Sequence, residues 1–144
     1  MVDRSQSTSL GSPLSSGGER CDHRRVLVVN DDAALAASVR DLLLECNYEP
    51  RVAMDGRQAL NVLTQWPADL VILDLIMPGM DGWAFLGQLA HSPSTNRPLV
   101  VVWSVALKEE LDRARGLGAT ECLARGSTGP QQLLDTVARL LESP

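Results

Sequence analysis

Five short apolar runs, each ending in a polar residue, alternate along the chain with five stretches whose apolar residues recur at helical spacing. The first run, Arg25-Val-Leu-Val-Val29, is mostly β-branched and stops at Asn30-Asp31-Asp32. That is how a strand buried on both faces of a parallel sheet reads. Leu35, Val39, Leu42 and Cys46 follow at i, i+4, i+7 and i+11 and predict a helix face ending near Asn47, with Asp31 or Asp32 as its cap. Tyr48 to Ala53 is a weaker strand, and Pro50 places it at a sheet edge. Asp55-Gly56 opens a helix carrying Ala59, Leu60 and Leu63 that stops before Pro67.

The pattern then repeats. Asp69-Leu-Val-Ile-Leu-Asp74 is a third strand, followed by a loop and a helix from about Asp81 that presents Phe85, Leu86 and Leu89. Pro98 to Ser104 is a fourth strand, and a short helix over Lys108 to Leu117 closes at Gly118. Glu121 to Ala124 is a fifth strand, and Pro130 suits the first turn of a last helix with the stripe Leu133, Val137 and Leu140. Strict alternation of strand and helix predicts a doubly wound α/β domain. Trp103 is expected in the core, and Trp83 at its rim.

Length and charge narrow the picture. The 144 residues allow one domain with a substantial core, beginning near Arg24 and running to residue 144. Met1 to about His23, rich in serine and glycine, reads as a disordered tail without the apolar stretch of a signal peptide. A net charge of −5 argues against non-specific attraction to nucleic acid or anionic membrane, and Arg20, His23, Arg24 and Arg25 form only a small basic cluster. No apolar run approaches the roughly 18–20 residues of a membrane span. Cys21, Cys46 and Cys122 lack paired spacing, which fits reduced thiols in the cytoplasm, and His23 and His91 sit at no zinc-ligand spacing.

Sheets of this class place ligands beyond the carboxyl ends of their strands. Here those ends carry Asn30-Asp31-Asp32, Asp74, Ser104 and Arg125. Carboxylates crowded in one crevice repel, and a hard divalent cation with oxygen ligands, magnesium above all, relieves the conflict. A carboxylate held opposite a cation and a hydroxyl suits phosphoryl transfer, with Ser104 and Arg125 meeting the phosphoryl oxygens. Taken singly, each of these residues reads as well as a helix cap, a strand-end hydroxyl or a surface ion pair.

At this point the chain resembles a known family. Asp74-Leu-Ile-Met-Pro-Gly-Met-Asp-Gly82 is similar to the D-x-x-M-P-x-x-D-G signature of response-regulator receiver domains of the CheY-like superfamily. Val28-Val-Asn-Asp-Asp32, Asp55-Gly56 with Ala59-Leu60, Pro67-Ala-Asp-Leu-Val71 and Gly118-Ala119 also match. Ser104 lies 30 residues after Asp74, and Arg125 a further 21, near the family intervals. The likeness spans about Arg25 to Leu141 and implies a flavodoxin-like (βα)5 sandwich whose five-stranded parallel sheet has the order 2-1-3-4-5. It further implies that Asp74 is the phosphoacceptor of a two-component or phosphorelay system. Mg2+ (or Mn2+) would sit on Asp31, Asp74 and the backbone carbonyl of Ile76, with Asn30 and Asp32 acting through water or from behind. Partners would be a sensor histidine kinase or histidine phosphotransferase and a downstream protein target.

The chain also departs from the family. Asn30 stands in the first position of the acidic cluster, although a one-residue slip makes Asp31 and Asp32 the pair. The usual lysine is Arg125, larger, planar and forked, and the proline after it is Gly126. Val105 replaces a small residue and is expected to narrow access to the phosphoryl group. Cys122 occupies the place of the aromatic switch residue. Two readings follow: a working phosphoacceptor, or a degenerate receiver that docks partners without phosphorylation. An enzyme of the haloacid-dehalogenase type needs a second Asp two positions after the first, where this chain has Ile76, so turnover of an external substrate is not expected. Leu141-Glu-Ser-Pro144 directly after the last helix suggests a stand-alone domain that acts by binding another protein.

Overall fold

A computed structural model of the chain describes residues 23–91 and 97–142; the tail expectation for residues 1–22, with Cys21, lies outside them. The described elements alternate as read from the pattern: β1 (Arg25–Val29), α1 (Ala33–Glu45), β2 (Glu49–Ala53), α2 (Gly56–Gln65), β3 (Leu70–Leu73), α3 (Gly82–Ala90), β4 (Leu99–Ser104), α4 (Lys108–Gly116), β5 (Glu121–Ala124) and α5 (Pro130–Glu142). All strands are parallel in the order β2-β1-β3-β4-β5, a flavodoxin-like sheet with β2 and its Pro50 at an edge. No helix among the described residues is long and apolar enough to cross a membrane.

Because side chains alternate along a strand, each strand feeds two cores. Leu27, Val29, Val71, Leu73, Val100 and Val102 face α2, α3 and α4. Val26, Val28, Leu70, Ile72, Val101 and Trp103 face α1 and α5. The direction of the chain from β1 outward reverses between β1 and β3, which opens a crevice at their carboxyl ends.

Two helix faces differ from the expected stripes. In α1 the buried face is Ala36, Val39 and Leu43, with Leu35 and Leu42 at its margin and Cys46 exposed. In α5 it is Leu133, Leu134, Val137 and Leu141, with Leu140 marginal. The reason for the first shift is Ala36: at the centre of the face it is too small to stand out in a hydrophobic pattern, whereas Cys46 keeps the spacing but lies at the C-cap.

Helix ends follow from local chemistry. Asp32, Asp55 and Asp81 each accept the N–H of the third residue onward and so cap α1, α2 and α3. Helix α4 ends in a Schellman motif: Gly118 N donates to the Arg115 carbonyl and Ala119 N to that of Ala114, with Gly118 at φ 113. Gly118-Ala119 is therefore a helix stop, and its glycine is required by the backbone.

Candidate functional site at the carboxyl rim of the sheet

The residue that follows β3 is Asp74. Its N–H continues the sheet by donating to the Val29 carbonyl, 3.0 Å, and its side chain is only 5% exposed. Three groups meet that carboxylate. Ser104 Oγ, at the end of β4 and wholly buried, donates to Oδ1 at 2.7 Å. The N–H of Ile76 donates to the same oxygen at 3.3 Å. Arg125 Nη1 stands 3.9 Å from Oδ2, an ion-pair distance at which no hydrogen bond forms, and Nη1 is buried without a hydrogen-bond partner.

Ser104 also accepts from the Leu75 N–H at 3.3 Å, and Arg125 N donates to the Ser104 carbonyl at 3.0 Å. The ends of β3, β4 and β5 are thus tied to one another around Asp74. The guanidinium carbon of Arg125 also lies 5.5 Å from the centroid of the Trp103 ring.

The acidic cluster after β1 divides its labour. Asn30 is buried, and its Oδ1 accepts the Asp32 N–H at 2.9 Å. Asp32 is exposed and spends Oδ1 on the Leu35 N–H as the cap of α1. Asp31 is exposed, and among the described residues its carboxylate makes no hydrogen bond. Among the described residues no three His, Cys, Asp or Glu side chains gather as a metal-holding group. The buried member of the cluster is thus the amide of Asn30, and Asp32 is the carboxylate that caps α1.

The neighbouring carboxyl ends of β1 and β3 offer oxygen donors, the kind that hard cations take, on Asp31, on Asp74 and along the backbone that follows it. Asp74 is nearly buried, and its closest cation is not hydrogen-bonded to it. Its charge is therefore incompletely compensated, which fits a divalent ion.

The other predicted positions sit around this rim. Ile76 is exposed, and Val105 is 63% exposed. Cys122 is half-buried against the core beneath α4, where burial pushes its thiol above its ordinary value. Trp83 is partly buried, donates to the Glu110 carbonyl at 3.2 Å and lies under Arg113.

The glycines of the two Asp-Gly pairs, Gly56 and Gly82, serve geometry. A Cβ on Gly82 would meet Leu75 Cα at 2.6 Å and the Asp74 carbonyl at 2.8 Å, and one on Gly56 would meet Met80. The Asp-Gly pairs thus cap a helix with the first residue and let it approach the Asp74–Met80 loop with the second. The Trp103–Arg125 stack was not read from the pattern. Its only sequence signal is an aromatic residue just before the hydroxyl and an arginine in place of the usual lysine.

Residues 26–138 match the family described as response regulator receiver domain. Among curated proteins, the phosphate regulon transcriptional regulatory protein PhoB of Escherichia coli is 38% identical over 120 residues, covering 81% of this chain and 50% of its own. Response regulator PleD of Caulobacter vibrioides is 38% identical over 103 residues, 70% of this chain and 22% of its own. The chain spans about half the length of the first of these, and less of the second. Among solved structures, a response regulator signal receiver domain from Bermanella marisrubri superposes with TM-score 0.77 at 30% identity, covering 83% of this chain and 99% of that one. Chemotaxis protein CheY4 of Vibrio cholerae gives TM-score 0.76 at 27% identity, covering 83% and 100%.

Proposed function

The chain belongs to the response regulator receiver domain family, and from that premise we propose that it accepts a phosphoryl group on Asp74 and so switches its contacts with other proteins. The observation that carries this reading is the convergence on one buried carboxylate of a hydroxyl at 2.7 Å and a guanidinium at 3.9 Å. Receiver domains are generally phosphoacceptors and not catalysts, and the groups around Asp74 suit that role.

In the proposed reaction an Asp74 oxygen attacks phosphorus in line. The new O–P bond forms as the N–P bond of a phosphohistidine breaks, and the released electron pair stays on the donor imidazole, which takes up a proton. Arg125 pairs with one phosphoryl oxygen, and Ser104 turns its hydroxyl from Asp74 Oδ1 to another. Asp31, Asp74 and the carbonyl of Ile76 would hold Mg2+ (or Mn2+), with Asn30 and Asp32 behind them. Bound there, the ion would neutralise charge on the transferring oxygens. The donor is a sensor histidine kinase or histidine phosphotransferase, and the product is read by a downstream protein through the segment after Ser104, where Val105 and Leu107 are exposed.

Phosphorylation-independent docking is the competing reading, favoured by the missing hydrogen bond between Arg125 and Asp74 and by the thiol at position 122. Incubation with magnesium and a small phosphodonor, read by intact mass, separates the two. One phosphoryl group on the wild type and none on Asp74→Asn supports the acceptor. Absence of any adduct, with partner binding unchanged in Asp74→Asn, supports docking.

A further inference from the structure

Arg125 begins beside the end of β4, where its N–H is bonded to the Ser104 carbonyl. Its side chain then has two electrostatic neighbours among the described residues, the Asp74 carboxylate and the face of Trp103. Nη1 is buried and unbonded, and such a donor is costly to bury. The carboxylate at 3.9 Å is too far to hold the group by hydrogen bonding. The indole face at 5.5 Å is within the range of a cation–π contact, and a planar guanidinium can stack there in a way an ammonium cannot.

The indole is itself anchored. Trp103 is 2% exposed, packs among α1 and α5, and donates its Nε1–H to the Thr128 carbonyl at 2.8 Å. Rotation of the ring breaks that bond, so the face under Arg125 has one orientation.

The geometry points to Trp103 as a positioning residue: it holds the Arg125 guanidinium just short of Asp74, where an arriving phosphoryl oxygen closes the gap. This rests on the phosphoacceptor reading of Asp74. It also accounts for arginine at a position where the family resemblance implies lysine, since the aromatic face one residue before Ser104 gives the larger group a seat.

The test is a double-mutant cycle on the rate of phosphoryl uptake from a small phosphodonor with magnesium, followed by intact mass. The four proteins are wild type, Trp103→Leu, Arg125→Gln and the double variant. Trp103→Leu is expected to slow uptake roughly two- to thirtyfold, the span of a cation–π contact. In the Arg125→Gln background the same substitution is expected to change nothing further, and Trp103→Phe, which keeps a flat ring, to recover most of the rate. Equal slowing by Trp103→Leu in both backgrounds overturns the inference, because core packing alone acts with or without the cation. An unchanged rate in Trp103→Leu overturns it too.

Should Trp103→Leu fail to fold, ring-fluorinated tryptophan incorporated into wild type and Arg125→Gln makes the same comparison without changing shape. Slowing confined to the arginine protein is expected, and equal effects overturn the inference. A wild type that takes up no phosphoryl group defeats the acceptor reading and this inference together; uptake by wild type with additive effects defeats this inference alone.

Discussion

Ser104 Oγ donates to Asp74 Oδ1 across 2.7 Å, joining the last residue of β4 to the residue after β3 where neither is open to solvent. The same hydroxyl accepts the Leu75 N–H at 3.3 Å. One small side chain therefore satisfies a buried carboxylate and a buried amide, and its reorientation is the smallest movement able to carry a change at Asp74 into β4.

Ser104→Ala removes both contacts at once. The expected loss of stability is about 1–3 kcal/mol, the cost of leaving buried polar groups short of a partner, measured by urea denaturation. A variant as stable as wild type would mean that the two bonds carry no weight in the folded protein.

Gly82 and Gly87 lie on the same helix and predict opposite outcomes. A methyl at Gly82 meets the Leu75 and Asp74 backbone below 3.0 Å, whereas at Gly87 it meets nothing within 4 Å. Gly82→Ala should destabilise by roughly 1–3 kcal/mol or more, since backbone must give way. Gly87→Ala should stabilise by about 0.4–1 kcal/mol through the unfolded chain's lost freedom. Thermal and urea unfolding of the pair check both signs.

Tyr48 donates its hydroxyl to Glu142 Oε2 at 2.7 Å and ties the start of β2 to the end of α5. Burial, then the hydrogen bond and charge of Glu142, hold the phenol protonated well above its ordinary value. The folded state keeps a proton that the unfolded state releases above about pH 10. This contribution is fully present below that pH and is lost as pH rises toward the folded value. The sequence has a single tyrosine, so the difference in alkaline unfolding between wild type and Tyr48→Phe isolates it. The variant should show the shallower fall in stability above about pH 10, and parallel curves would refute the assignment.

The strand ends were legible because each apolar run stops at the residue that matters: Asn30 after β1, Asp74 after β3, Ser104 closing β4. Edge placement of β2 followed from Pro50, and the turn after α4 from Gly118. The buried face of α1 was not legible, since Ala36 gives little contrast against Leu35 and Cys46. Nor was the division within Asn30-Asp31-Asp32, which depends on which carboxylate the first turn of α1 claims as its cap. The seating of Arg125 on Trp103 was hidden for another reason: the two meet only because β4 and β5 pair, with Ser104 opposite Ala124.

That division predicts a contrast between adjacent aspartates. Asp31→Ala should weaken magnesium binding at least about tenfold, equivalent to ~1.4 kcal/mol, by titration calorimetry, and chelation should stop phosphoryl uptake. Asp32→Ala should instead cost about 0.5–2 kcal/mol of stability as a lost helix cap while leaving the ion bound. The reverse pattern would move the ion site one residue along the chain.

In the proposed function Asp74 is the residue that becomes an acyl phosphate. The direct measurement is reductive trapping after phosphodonor treatment in magnesium, followed by peptide mapping, because borohydride converts an aspartyl phosphate to homoserine. Homoserine is expected at position 74 in the wild type and at no other aspartate. Unmodified Asp74 beside a labelled Asp31 or Asp32, or no conversion anywhere in the chain, would contradict it.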